Sequence, residues 1–148
     1  MLQGKRAADA IIKATGGKAK LAILLGATGV NVTDDRTNGF LDELKAQNAT
    51  GIEVIFKQTA DFTREKGKSV TETLLQAHPE VNAIYAENDE MGLGALAALE
   101  DAGKGGIDKV HIVSIDGTKG TSRRSCPSHA MCSSAVSRDA GAPSICGR

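Results

Sequence analysis

Apolar positions alternate between two rhythms along the first 115 residues, helical spacing and short continuous runs. From Gly4 to Thr15, Ala7, Ala8, Ile11 and Ile12 recur at helical spacing, and Gly16-Gly17 supplies a stop. The run Leu21-Ala22-Ile23-Leu24-Leu25 within Lys20 to Leu25 has the length and character of a strand buried on both faces, ended by Gly26. A second helix is predicted to start at Asn31 or Thr33 and to bury Phe40, Leu41 and Leu44, with Asp34 and Asp35 in the first turn where the helix dipole favours acids. Ile52 to Gln58 reads as the second strand.

A third helix is expected from Thr63 to Ala77, with Val70, Leu74 and Leu75 as its apolar stripe, Asp61 or Thr63 as its cap, and His78-Pro79 as its end. Val81 to Ala86 is strand three. Asp89 to Ala102 is helix four, packing Met91, Ala95, Leu96 and Leu99 inward before Gly103. Val110 to Ile115 is strand four. Apolar strands joined by helices predict an α/β fold, a doubly wound parallel sheet with right-handed crossovers.

Composition changes this picture at one place. The 148 residues balance 18 basic against 18 acidic side chains, which argues against a nucleic-acid partner or an anionic membrane surface. That neutrality is an average, because residues 1–120 carry a net charge of −3 and residues 121–148 a net charge of +3. The final 28 residues hold all three cysteines, seven serines and two of the three prolines, without Leu or Phe. Such a segment buries too little apolar surface to offset its ordering entropy. The chain therefore divides into a lobe over residues 1–119 and a Ser/Arg/Cys-rich tail over residues 120–148, expected to be disordered or read in a shifted frame. Cys126, Cys132 and Cys146 lack the spacing of a zinc site. No signal peptide is seen at the start, and no run reaches the length of a transmembrane helix.

In a doubly wound sheet, ligands collect beyond the carboxyl ends of the strands. The residues there are Gly26 to Arg36 after strand one, Thr59 to Phe62 after strand two, Glu87 to Glu90 after strand three and Asp116 to Thr118 after strand four. They gather a guanidinium, a carboxamide, carboxylates and one aromatic, a set suited to a polyhydroxylated ligand. Each has a structural reading too. Asp34, Asp35, Asp89 and Glu90 suit first helical turns. Asp61 suits a cap and Arg36 a surface ion pair, and Phe62 serves equally as a hydrophobic staple or a stacking surface. Asn88 and Asp116 follow apolar strands directly and are the hardest to set aside. The scattered histidines have no nucleophile beside them in sequence, there is no Gly-x-Ser-x-Gly, and Gly26-Ala-Thr-Gly29 is too sparse for a phosphate loop. These patterns point away from an enzyme and imply no cofactor and no metal.

Five stretches, in order, carry a family resemblance: Gly16-Gly-Lys-Ala-Lys-Leu21, Asp35-Arg-Thr-Asn-Gly-Phe40, Gln58-Thr-Ala-Asp-Phe-Thr-Arg-Glu-Lys-Gly67, Ala86-Glu-Asn-Asp-Glu-Met-Gly-Leu-Gly-Ala95 and Ser114-Ile-Asp-Gly117. Over residues 4–118 the chain resembles the periplasmic sugar-binding proteins of ABC transporters, in the ribose- and galactofuranose-binding-like group. The resemblance implies one Rossmann-like lobe of a type I periplasmic binding protein, the C-terminal one, incomplete and lacking its partner lobe. It implies that Arg36, Asn88 and Asp116 bind sugar hydroxyls and that Phe62 contacts the ring, with Asp61 and Asp89 orienting loops or capping helices. Glu87 departs from the small neutral or aromatic residues expected there. The implied partners are a monosaccharide, pentose or hexose, and in the full-length family an ABC permease, with no nucleic acid and no insertion into the membrane. Family members work in the periplasm, whereas this chain without an export signal is expected to stay cytoplasmic. The alternative is the effector lobe of a LacI-type transcription regulator, which shares the fold and would carry an N-terminal helix-turn-helix.

Overall fold

The computed structural model describes residues 2–104, 110–115 and 131–133. Helices and strands alternate as α1 (Leu2–Thr15), β1 (Lys18–Leu25), α2 (Asn31–Ala46), β2 (Gly51–Thr59), α3 (Arg64–Ala77), β3 (Ala83–Ala86), α4 (Asp89–Asp101), β4 (His111–Ser114) and β5 (Met131–Ser133). The predicted stops work as written. Gly16, Gly17 and Gly103 take positive φ of 65°, 81° and 70°, which lets the chain turn out of its helices at little steric cost.

The five strands lie in the order β2-β1-β3-β4-β5, every neighbouring pair parallel. Period-2 alternation divides the sheet between two cores. Leu21, Ile23, Tyr85 and Val113 face α1 and α2, where they meet Ala7, Ala8, Ile11, Phe40 and Leu44. Ala22, Leu24, Ile84 and Ile112 face α3 and α4, where they meet Val70, Leu74, Met91, Leu96 and Leu99. The rings of Phe40 and Tyr85 stack at 4.2 Å with planes 8° apart. Each fully buried side chain of this size contributes about 1.5–3 kcal/mol, so both faces of the sheet are needed to hold it.

Glycine brings the helices of each layer into backbone contact. A Cβ on Gly4 would lie 2.2 Å from the Arg36 carbonyl oxygen, and one on Gly94 would lie 2.1 Å from that of Arg64. Both distances are below any tolerated contact. Close crossing of α1 on α2 and of α3 on α4 thus depends on the missing side chains.

Two features depart from the expected pattern. β2 is an edge strand whose register slips between Leu21 and Ala22, so that Leu21 pairs with Val54, Ala22 with Phe56, and Ile55 is the extra residue of a bulge. A fifth strand, Met131–Ser133, pairs with Ile112–Ser114 inside the segment expected to be a tail. Met-Cys-Ser has no β-branched residue to announce a strand. The remainder of the segment assigned to the tail lies outside the described residues, with Cys126 and Cys146.

Candidate functional site

The strand order reverses at β1, which has β2 on one side and β3 on the other. Just beyond the ends of β1 and β3 is the switch point where ligands of such sheets settle. Leu24 pairs with Ala86, so Gly26 and Glu87 emerge there close together.

Glu87 is fully buried. One carboxylate oxygen accepts the Gly26 N–H at 2.7 Å, and the other accepts the Thr37 hydroxyl. Burial pushes this carboxyl above its ordinary value, against the lowering effect of those hydrogen bonds and of the nearby Arg36 and Lys57 charges. Arg36, 8% exposed, donates through Nη1 to the Glu87 carbonyl and through Nε to Gln3 Oε1 at 3.0 Å. At this burial the Arg36 guanidinium is not the surface group that the ion-pair reading supposed. The guanidinium is anchored between α1 and the end of β3.

Phe62 follows β2 in a strained turn. Asp61 and Phe62 both take left-handed φ, 49° and 60°, a conformation that costs an L-residue about 1–2 kcal/mol. The surroundings hold it. Asp61 pairs with Lys66, which keeps its carboxyl below the ordinary range, and accepts from the Thr59 hydroxyl at 3.2 Å. The Phe62 ring lies on Gly26, where a Cβ would come within 1.9 Å of Cζ. The staple reading lacks its partner, because the fourth residue of α3 is Gly67. Thr63, not Asp61, caps α3, accepting the Lys66 N–H at 3.2 Å.

Asn88 joins these pieces. Its Oδ1 accepts the Met91 N–H at 3.0 Å as the N-cap of α4, and its Nδ2 donates to the Phe62 carbonyl at 3.1 Å. Of the neighbouring acids, Asp89 is buried and accepts from the Ser114 hydroxyl at 2.5 Å, while Glu90 forms a two-point pair with Arg64 at 3.0 and 3.1 Å. Asp34 stands in the first turn of α2.

Arg36, Phe62 and Asn88 are thus brought to one rim, linked through Glu87 and Gly26. Asp116 lies outside the described residues. A cleft of about 170 Å³ opens beside Gly26, lined by Thr28, Thr33, Asp34, Thr37, Asn38 and Lys57 among others. Glu87, Thr37 and Gln3, which organise the rim, have weak signatures in sequence. The one available signal was an acid directly ending an otherwise apolar strand.

The chain is 44% identical over 118 residues to the ribose import binding protein RbsB of Salmonella typhimurium, a match spanning 80% of this chain and 38% of that protein. It is 39% identical over 122 residues to the galactofuranose-binding protein YtfQ of Escherichia coli, spanning 79% of this chain and 37% of the relative. Among solved structures, a galactofuranose binding protein superposes with a TM-score of 0.79 at 35% identity, covering 84% of this chain and 43% of that one. An ABC transporter periplasmic solute binding protein from Actinobacillus succinogenes with bound D-allose gives 0.73 at 33% identity, covering 79% and 40%. The chain therefore spans roughly two-fifths of the length of these relatives. The sequence pattern of the periplasmic binding protein domain runs through residues 2–136, and with the parallel sheet and the switch-point rim in place, the chain belongs to that family.

Proposed function

We propose that the chain supplies one half of a carbohydrate site, in the manner of a substrate-binding protein of an ABC importer that binds its sugar without transforming it. The observation that carries this reading is the anchoring of Arg36, Phe62 and Asn88 at one switch-point rim. Asn88 uses one lone pair of Oδ1 and one N–H of Nδ2 within the lobe, which leaves one acceptor and one donor for a sugar hydroxyl. In this reading the Arg36 guanidinium donates to sugar oxygens, Phe62 offers an apolar face to a ring, and Asp116 is proposed as a further acceptor. The ligand is a pentose or hexose, the partner in the assembled importer is a permease, and the working compartment is the periplasm.

A site closed between two lobes draws contacts from both. The 148 residues on their own supply one side of it. Losing about three charge-assisted hydrogen bonds at about 1.5 kcal/mol each removes roughly 4.5 kcal/mol, or about a thousandfold in affinity. Calorimetry of the purified chain with pentoses and hexoses is expected to give millimolar or weaker binding. Micromolar affinity would overturn the half-site reading.

A further inference from the structure

We infer that Glu87 is a positioning residue for the ligand-facing rim: it holds the ends of β1 and β3 and the second turn of α2 in one geometry, so that Arg36 and the Phe62 ring are set in advance of any ligand. The inference rests on the carbohydrate reading for its purpose and on four contacts for its geometry. The Glu87 carboxylate accepts from Gly26 N–H and from Thr37 Oγ1. Its carbonyl accepts from Arg36, and its N–H donates to the Leu24 carbonyl at 3.2 Å. The residue is fully buried, so it acts through these neighbours and not on a ligand.

Each contact leads to a rim group. Gly26 is the surface on which the Phe62 ring rests, with no room for even a methyl group between them, so displacing the Gly26 peptide displaces the ring. Thr37 adjoins Arg36 on α2, and its tie to Glu87 fixes the rotation of the helix that delivers the guanidinium. The charged groups acting on Glu87 are Arg36 from α2 and Lys57 from β2. Glutamine fits the same place. Its Oε1 can accept from Gly26 while Nε2 donates to Thr37 Oγ1.

The test is amide exchange and a pH titration followed by NMR on the ¹⁵N-labelled 148-residue chain, as wild type, Glu87→Gln and Glu87→Ala. In the wild type the Gly26 amide resonance should titrate with a midpoint above the ordinary glutamate value, and Glu87→Gln should abolish that titration while keeping exchange slow. Glu87→Ala should speed Gly26 exchange about tenfold or more and move the Arg36 Nε–H resonance, leaving Leu74 in the opposite core unchanged. Unchanged Gly26 exchange in Glu87→Ala, or a wild-type Gly26 amide that does not titrate, would overturn the inference. Should Glu87→Ala fail to fold, Thr37→Val removes one tie alone. It should move the Arg36 resonance, and an unmoved resonance refutes the proposal. Titrating D-ribose into the same samples separates the two readings. Equal shifts at Arg36 and Asn88 in wild type and Glu87→Gln, with about tenfold weaker binding in Glu87→Ala, support both. No ribose-induced shift in the wild type counts against the carbohydrate reading and leaves the Gly26 result to decide the role of Glu87.

Discussion

The carboxamide of Asn88 caps α4 with one end and holds the Phe62 carbonyl with the other. The two roles separate by substitution. Asn88→Asp keeps the cap but faces a carbonyl with an acceptor, whereas Asn88→Ala loses both, so urea unfolding should show losses of about 1 and about 2 kcal/mol respectively. Equal losses would mean that the cap contributes nothing, and no loss in Asn88→Asp that the Phe62 tie contributes nothing. Glu87 gives a pH signature. Its folded value is raised above the ordinary 4.5 by burial, so the stability it contributes is present below that value and is lost as pH rises through the folded one. Glu87→Gln, neutral throughout, should gain on the wild type as pH rises above 4.5 and through the raised folded value, read as the difference in their urea midpoints. Asn88 could be placed at the rim from the sequence because its position after an apolar run marks a strand end, whereas Arg36, inside α2, was singled out by the family resemblance. Glu87 was legible only as an oddity. Its burial depends on Thr37 and Arg36, some 50 residues away, and no local pattern carries that.

Helices were the most readable elements, because their ends are marked by residues with fixed backbone consequences. Gly16-Gly17, His78-Pro79 and Gly103 fall where α1, α3 and α4 stop. What held the helices together was not readable. Gly94 sits mid-helix, where propensity makes it a fault of about 1 kcal/mol, yet it admits the Arg64 carbonyl to the surface of α4. Gly94→Ala should therefore destabilise by about 1–3 kcal/mol in chemical denaturation despite its better propensity. A stabilising effect would show that the two helices separate freely. The strands followed the same division. Continuous apolar runs identified β1 and β3, while the bulge at Ile55 and the three-residue β5 are set by pairing partners that the local sequence does not name.

At the scale of the molecule, parallel pairing places every strand end at the same rim, which is why residues as far apart as Arg36, Phe62 and Asn88 converge. Among the described residues, the same topology leaves β2 with a partner on one side only. Along it Val54 is 38% exposed, flanked by Glu53, which pairs with Lys20, and followed by the bulge and Lys57. An open strand edge is a template for adding another chain, and charges and bulges obstruct that addition. Replacing Glu53 and Lys57 together by Val should shift the chain to larger species in size-exclusion chromatography, and an unchanged elution volume would contradict this. The register slip at Ile55, a fault when β2 is viewed only as a member of the sheet, is then a guard on solubility: it bends the exposed ladder away from any copy that would extend the sheet from one molecule to the next.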